Sequence, residues 1–280
     1  MLSWIAWVLI GLGAVSLTAL AYWHLILAEG AYLGQRVVTW LYDLTAHRYD
    51  AIKQYDPIFE ALFLGQPLAE YLAPLPRPLV LDIGTGTGRL PLALFAQEDF
   101  RGCIVGIDHS RQMLRIAARK TQDYADRLLL IWRDAAHLPF ADATFDAVTC
   151  LEMLEFTPCP PAQLAEAVRV LRPGGILLTT RRRGLSAWLM PGKAFRTEAF
   201  RTLLHRLGMV HVEVQRWQVE YDLVWGLKAG RSSTSGGEPL EVLRCPHCWA
   251  SAWSAESEAL VCRSCGFIWP RRDGVVHMLE

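Results

Sequence analysis

The twelve residues LVLDIGTGTGRL, 79–90, constrain this chain more than any other stretch. An apolar run passes directly into three alternating glycines and then into a helix read over residues 90–97. A strand, a tight turn and a helix in immediate succession open an α/β sandwich, and the Pro-rich break APLPRP just before them marks its start. Gly84, Gly86 and Gly88 let the backbone turn sharply and approach a ligand closely, and the helix N-terminus beyond them favours an anionic group such as a carboxylate. The spacing from Asp82 is DxGxGxG, not the GxGxxG of dinucleotide binders. By itself the loop also reads as an ordinary strand-to-helix turn.

The pattern then repeats. CIVGID, Cys103–Asp108, is a second strand whose terminal acid, twenty residues after Gly88, can accept both ribose hydroxyls of a nucleoside, although a helix cap is another use of such an acid. HSRQMLRIAARK opens a helix with Ser110 near its cap and Met113 where it can pack an adenine. RLLLIWRD is a third strand ending in Asp134, and FDAVTCLE is a fourth. LRPGGILLTT supplies a helix stop, a Pro-Gly-Gly turn and a fifth strand, so the order reads βαβαβαβαβ.

Five signposts in this order, LDIGTGTG, GIDHS, DAAHLPF, FDAVTCLEMLEF and LRPGGILL, resemble the class I S-adenosylmethionine-dependent methyltransferases, in the branch that includes quinone-biosynthesis and other small-molecule enzymes. The resemblance covers residues 49–228 and implies a doubly wound, seven-stranded Rossmann-like α/β sheet. TEAFRTLLHRLGM then reads as a helix, and MVHVEVQRWQVE and YDLVWGLKAG as the closing strands. By the same resemblance the loop residues Asp82, Gly84, Thr85, Gly86 and Gly88 hold the methionine part of the cofactor, and Asp108, with His109 beside it, holds the ribose. Met113, Asp134 and Ala135 border the adenine, and Cys150 and Leu151 border the sulfonium. Tyr55, in QYDPIFEAL, resembles a Tyr-Asp that some relatives fold over the cofactor, although such a Tyr is more commonly core or surface.

S-adenosylmethionine is an activated methyl donor, so the protein mainly aligns an acceptor with the S–CH3 bond in a dry pocket, and a dedicated base is optional. In CLEMLEFTPCPP, after the fourth strand, Phe156 stands where many relatives carry a His, which argues against a His base. Glu152 and Glu155 are left as catalytic candidates, to accept a proton or orient an acceptor, against the commoner use of such acids at an exposed helix start. No Asn/Asp-Pro-Pro-Tyr/Phe run occurs there, which argues against methylation of exocyclic DNA amines or protein glutamine. The run Arg181-Arg182-Arg183 reads as a solvated charged loop, with an acidic substrate or lipid headgroup as the alternative.

The first 28 residues carry no Asp, Glu, Lys or Arg. From Trp4 to Trp23 a helix would span about 28 Å, close to a hydrocarbon core, with Trp4 and Trp7 at one interface and Tyr22 and Trp23 at the other. Residues 1–28 are therefore expected to be a single transmembrane helix. A signal peptide and a buried core helix are the competing readings; the missing basic n-region and the long apolar run disfavour the signal peptide. Arg36, Arg48 and Lys53 follow the run, so the positive-inside bias puts the catalytic domain on the cytoplasmic side. Residues 29–48 carry Leu33, Val37, Leu41 and Leu44 at helical spacing, a juxtamembrane amphipathic helix that either lies on the membrane or caps the next domain.

Residues 229–240, which open with AGRSSTSGGEP, read as a flexible linker. Beyond it, residues 241–280 contain CxxC-x13-CxxC, in which Cys245, Cys248, Cys262 and Cys265 can wrap a structural Zn2+ tetrahedrally. A redox CxxC would need only one pair, and so short a module needs a staple. With Pro270, Asp273-Gly274 and Met278-Leu279, the run resembles the small zinc-ribbon family that activates RNA and protein methyltransferases as a partner subunit. The resemblance implies that this ribbon packs on the methyltransferase domain or helps bind substrate.

Lys and Arg total 28 and Asp and Glu total 28, so no overall basic field favours nucleic acid as the partner. The expected activity is methyl transfer from S-adenosylmethionine to a small or lipophilic acceptor at the membrane. The alternatives are an RNA or protein methyltransferase guided by the ribbon, and a catalytically silent membrane scaffold that binds the cofactor.

Overall fold

The computed structural model describes residues 3–232 and 235–279; Met1, Leu2, Ser233 and Thr234 of the expected linker, and Glu280 lie outside the described residues. Helix α1 (Trp4–Tyr22) continues through a π-helical turn, Trp23–Leu27. Together these 24 residues are long and apolar enough to cross a bilayer, and none of the spanning window is buried, which removes the core-helix reading.

Helices α2 (Gln35–Thr45) and α3 (Tyr49–Lys53) follow, then α4 (Pro57–Glu60), a π-helical turn Ala61–Gly65 and α5 (Gln66–Leu72). Helix α2 caps the domain, but not with the expected stripe. Val38 is its buried residue, and Gln35, Val38, Thr39 and Tyr42 line the cavity below it. Leu33 and Leu44 stay exposed, and Val37 and Leu41 are half-buried. The stripe was apolar enough to be the inner face; polar side chains on the neighbouring face take that place because they hydrogen-bond to the site.

Strands β1 (Leu79–Ile83), β2 (Cys103–Asp108), β3 (Leu128–Trp132), β4 (Phe145–Cys150) and β5 (Leu171–Arg182) are parallel, in the order β5-β4-β1-β2-β3. All five residues of β1 are buried, as a central strand covered on both faces requires. Helices α6 (Arg89–Phe95), α7 (Arg111–Lys120) and α8 (Pro160–Val170) supply the crossovers β1–β2, β2–β3 and β4–β5. The expected helix between β3 and β4 is absent among the described residues. That connection holds twelve residues, the bare minimum for a helical crossover, and Phe140 within it bridges to Leu243 instead. The Pro-Gly-Gly turn is a bulge inside β5: the register steps from Phe145↔Leu171 to Ala147↔Ile176.

Helices α9 (Gly184–Trp188) and α10 (Thr197–Arg206) lead to β6 (Met209–Arg216) and β7 (Tyr221–Lys228), with β7 antiparallel to β5 and to β6. The seven strands expected are thus present, but the sheet does not stop there. The C-terminal strands β8 (Trp253–Ala255), β9 (Ala259–Cys262), β10 (Ile268–Arg272) and β11 (Val275–His277) extend it to eleven, because β11 pairs in parallel with β3 through Val275↔Leu130, Val276↔Ile131 and His277↔Trp132. Val275, Val276 and Met278 are buried, and the edge of β3 is covered by a strand of the same chain. The stretch before this module is docked: Gly236 N donates to Asp146 at 2.9 Å, Arg172 donates to the Gly236 carbonyl at 2.9 Å, and Arg77 pairs with Glu238.

Candidate active site

The glycine loop is strapped to the end of β2. Gly84 N and Thr85 N donate to the Ile107 carbonyl at 2.8 and 3.0 Å, and Gly86 N donates to Asp108 at 2.8 Å. The second Asp108 oxygen accepts Ser110 N at 2.7 Å, while the Ser110 hydroxyl caps α7 through Met113 N. Gly86 has a φ of +54° and nothing of the protein presses on its missing side chain, so its backbone faces open space that a ligand can approach. Asp82 lies beneath, accepting from the hydroxyls of Thr85 and Thr149 at 2.6 Å each. Burial pushes its carboxyl up to about 6 despite those bonds, and burial likewise raises Asp108.

These groups line one cleft at the C-terminal ends of the parallel strands, where open α/β sheets bind ligands. Asp82, Gly84, Thr85, Gly86, Asp108 and His109 form its floor and one side. Met113, Asp134, Ala135, Leu151, Glu152 and Tyr55 line the rest of it. Three expected residues stand apart. Gly88 is not on the cleft; at a φ of +85° it starts α6 with Ala117 against it. Cys150 is buried, at hydrogen-bond distance from Thr179, and burial pushes its thiol up to about 12. Glu155 is turned by the short 3-10 segment Leu154–Phe156 away from the cleft, where it accepts the Tyr221 hydroxyl at 2.5 Å and lies 3.6 Å from Arg182; burial raises its carboxyl.

Glu152 is on the cleft but is not an exposed helix-start acid. It is buried, has a φ of +51°, donates its N–H to Thr180, and accepts from Arg89 at 2.7 Å. Arg89 also makes a two-pronged pair with Glu60 at 2.7 and 2.8 Å, and its guanidinium lies 4.0 Å from the Tyr55 ring centre and 4.5 Å from that of Trp217. Burial works against the Arg89 charge, but the Glu60 hydrogen bonds and the neighbouring negative groups outweigh it and hold the guanidinium above its ordinary value. Lys53 links Glu152 to Glu29, at 3.8 Å from each. A carboxylate held between two cations suits positioning better than proton transfer.

Sequence reasoning allowed residues 29–48 to cap the domain but named none of the side chains that close the cleft. Helices α2 and α3 form a cover tied to the cofactor-type motifs by side chains: Thr39 to His109 Nδ1 at 2.8 Å, Asp43 to the Ser110 hydroxyl at 2.5 Å and Asp50 to the Thr87 hydroxyl at 2.5 Å. Tyr42, Tyr49 and Tyr55 form a string of ring contacts at 5.6 and 5.9 Å. Tyr42 also meets Phe156 at 5.7 Å. Burial lifts all three phenols, so they stay protonated; Tyr42 donates to Glu29 at 3.0 Å, and Tyr49 and Tyr55 are hydrogen-bonded to each other. The Arg181-Arg182-Arg183 run is paired, not solvated: Arg181 and Arg183 with Asp222, Arg182 with Glu155 and Glu220.

Through Arg133, next to Asp134, the C-terminal module braces the same cleft. Met278 N donates to the Trp132 carbonyl at 3.0 Å, and Arg133, on the cleft, donates to the Met278 carbonyl at 3.0 Å. The Sγ atoms of Cys245, Cys248, Cys262 and Cys265 lie within 4.8 Å of one another, a four-thiolate set compatible with tetrahedral zinc.

Residues 81–179 match the family described as a methyltransferase domain. Over 146 residues the chain is 34% identical to a demethylmenaquinone methyltransferase from Symbiobacterium thermophilum, covering 50% of this chain and 57% of that protein. Over 101 residues it is 42% identical to a demethylmenaquinone methyltransferase from Lactiplantibacillus plantarum, covering 35% of this chain and 43% of that protein. The chain thus spans about half the length of these relatives. Among solved structures, a complex between the Haloferax volcanii Trm112 methyltransferase activator and a putative methyltransferase shares the fold, with a TM-score of 0.52 at 21% identity over 68% of this chain and 98% of that one. The chain therefore carries an α/β methyltransferase domain with a mixed sheet.

Proposed function

We propose that this protein is an S-adenosylmethionine-dependent methyltransferase acting on a small lipophilic acceptor at a membrane surface. The observation that carries the reading is the wall shared by cleft and membrane helix. Phe156 lines the cleft beside Tyr42, and it also packs on the apolar cluster of Ala28, Ala31 and Met190 directly below α1. An acceptor bound against Tyr42, Tyr49 and Phe156 would thus sit next to the point where the chain leaves the bilayer. The quinone-type relatives support an acceptor of this kind.

The cofactor supplies an activated methyl group when bound. In this reading Gly84, Thr85 and Gly86 offer backbone at the methionine end, Asp108 has lone pairs beyond its two backbone bonds for the ribose hydroxyls, and Met113, Asp134 and Ala135 border the adenine. Glu152, held by Arg89 and Lys53, orients the acceptor, and the tyrosines wall it off from water. Cys150, Glu155 and Gly88 support the site from behind. We further assign residues 1–28 to a single membrane pass with residues 49–228 on the cytoplasmic side, and residues 241–280 to a zinc ribbon that stabilises the domain in cis through β11.

Incubating the full chain in membranes with methyl-labelled S-adenosylmethionine, then separating lipid, RNA and protein, tests this. Label in the lipid fraction supports the reading. Label only in RNA or protein overturns the acceptor class, and cofactor binding with no transfer to any fraction makes the chain a binding scaffold.

A further inference from the structure

Two loops beside the end of α1 have apolar side chains with nothing to cover them. Helix α9 presents Leu185 and Trp188, 72% and 77% exposed, three residues apart and so on one face. The connection between β6 and β7 presents Val219, 88% exposed. The loops are joined: Arg183 N donates to the Glu220 carbonyl at 2.7 Å, and the Arg183 guanidinium reaches the Val219 carbonyl at 3.4 Å. They are also fixed to the apolar helix. Trp23, where α1 gives way to the π-helical turn, donates its indole N–H to the Leu189 carbonyl at 3.1 Å, and Tyr32 donates to the Pro191 carbonyl at 2.8 Å. Met190 between them is buried against Ala28 and Ala31.

We infer that α9 and the β6–β7 loop form a second membrane contact, a foot that rests in the lipid interface next to the span. The inference rests on reading α1 as membrane-spanning. If Trp23 marks the level at which the helix leaves the hydrocarbon, the residues hydrogen-bonded to it lie at that level, and Leu185, Trp188 and Val219 project from them into the headgroup and acyl boundary. A Trp on a short amphipathic segment suits that depth. The register gives the foot a direction. Arg182↔Tyr221 is the end of β5 on the cleft side, so a membrane contact there holds the C-terminal rim of the sheet, and the cleft, towards the bilayer. It explains why Arg181, Arg182 and Arg183 are all committed to internal pairs: they stiffen the two loops that carry the foot. A second copy of the chain is the other occupant such a surface can have, and the continuity with α1 favours lipid.

The test is photo-crosslinking of the full chain reconstituted in phosphatidylcholine and phosphatidylglycerol vesicles, with p-benzoylphenylalanine replacing Leu185, Trp188 or Val219. Val15 within α1 reports on the span. Val210 is the control: it pairs with Leu227, opposite Ile176, at the other end of the sheet. Lipid adducts at Val15, Leu185, Trp188 and Val219 but not at Val210 are expected. Adducts at Val15 without any at the three loop positions overturn the foot and leave the span standing. Chain-to-chain adducts at those positions in place of lipid overturn it in favour of self-association, and absence of lipid adducts at Val15 overturns the span and the foot together.

Discussion

Arg89→Met removes the one cation that two buried carboxylates share. Glu60 and Glu152 each take short hydrogen bonds from the guanidinium, and all three side chains are under 10% exposed. Methionine restores much of the volume between Tyr55 and Trp217 but leaves Glu60 with no side-chain partner among the described residues and Glu152 with Lys53 at 3.8 Å. Breaking a buried pair from one side costs about 3–5 kcal/mol, since the desolvated charge left behind outweighs the lost attraction. For a chain of this size that is a fall in melting temperature of roughly 10 °C. The sign of the pH dependence follows. Adding a proton removes the unpaired charge that burial penalises, so the variant regains part of its stability as pH falls. Thermal unfolding of the full chain in detergent, followed by circular dichroism at about pH 7.5 and about pH 5.5, should show a deficit that shrinks at the lower pH, and Glu60→Gln in the same chain should recover part of it. A loss below about 1 kcal/mol, the size of an exposed pair, or one independent of pH, refutes the claim that the cluster is a desolvated network.

Gly65→Ala would help an ordinary helix, yet here the added Cβ meets the Ala93 carbonyl oxygen at 2.1 Å, so denaturation should show a loss of about 1–3 kcal/mol instead of a gain. Asp82, raised to about 6 by burial, contributes stability that is present at low pH and lost as pH rises through 6. The wild type should gain about 2 kcal/mol over Asp82→Asn between about pH 6.5 and pH 4.5, and parallel pH profiles would contradict this. Metal analysis should return about one zinc per chain, and Cys262→Ser, by releasing β11 from β3, should lower the melting temperature of the whole chain; a variant melting like the wild type would make the ribbon an independent module.

The parallel strands were legible because each is a short, almost wholly apolar run bounded by glycine, proline or an acid, and the floor of the cleft was legible because Asp82, the glycines and Asp108 lie in contiguous motifs. What covers the floor was not. Thr39 and Asp43 of α2 and Asp50 of α3 are ordinary polar helix residues, and only the docked fold brings them to His109, Ser110 and Thr87. The stripe at Leu33, Val37, Leu41 and Leu44 misled for the same reason, since hydrophobic spacing finds a face but not the hydrogen bonds that choose between two faces. Glu152 and Glu155 look alike in sequence, three residues apart, and a single 3-10 turn sends one to the cleft and the other to Tyr221. The four-cysteine cluster of the C-terminal module was legible from its paired CxxC spacing. The module's pairing with β3 was not, because Val275-Val276-His277 carries no signal beyond that of any short strand.

The central claim, that the cleft binds S-adenosylmethionine through the end of β2, is tested most directly by titration calorimetry of the full chain and of Asp108→Ala. Asp108 now accepts Gly86 N and Ser110 N, and the ribose hydroxyls would add two charge-assisted bonds of about 1.5–3 kcal/mol each. The wild type should bind the cofactor, and the variant, still folded by circular dichroism, should bind at least about tenfold more weakly. Equal affinity in wild type and folded variant, or no binding by the wild type, would contradict the account.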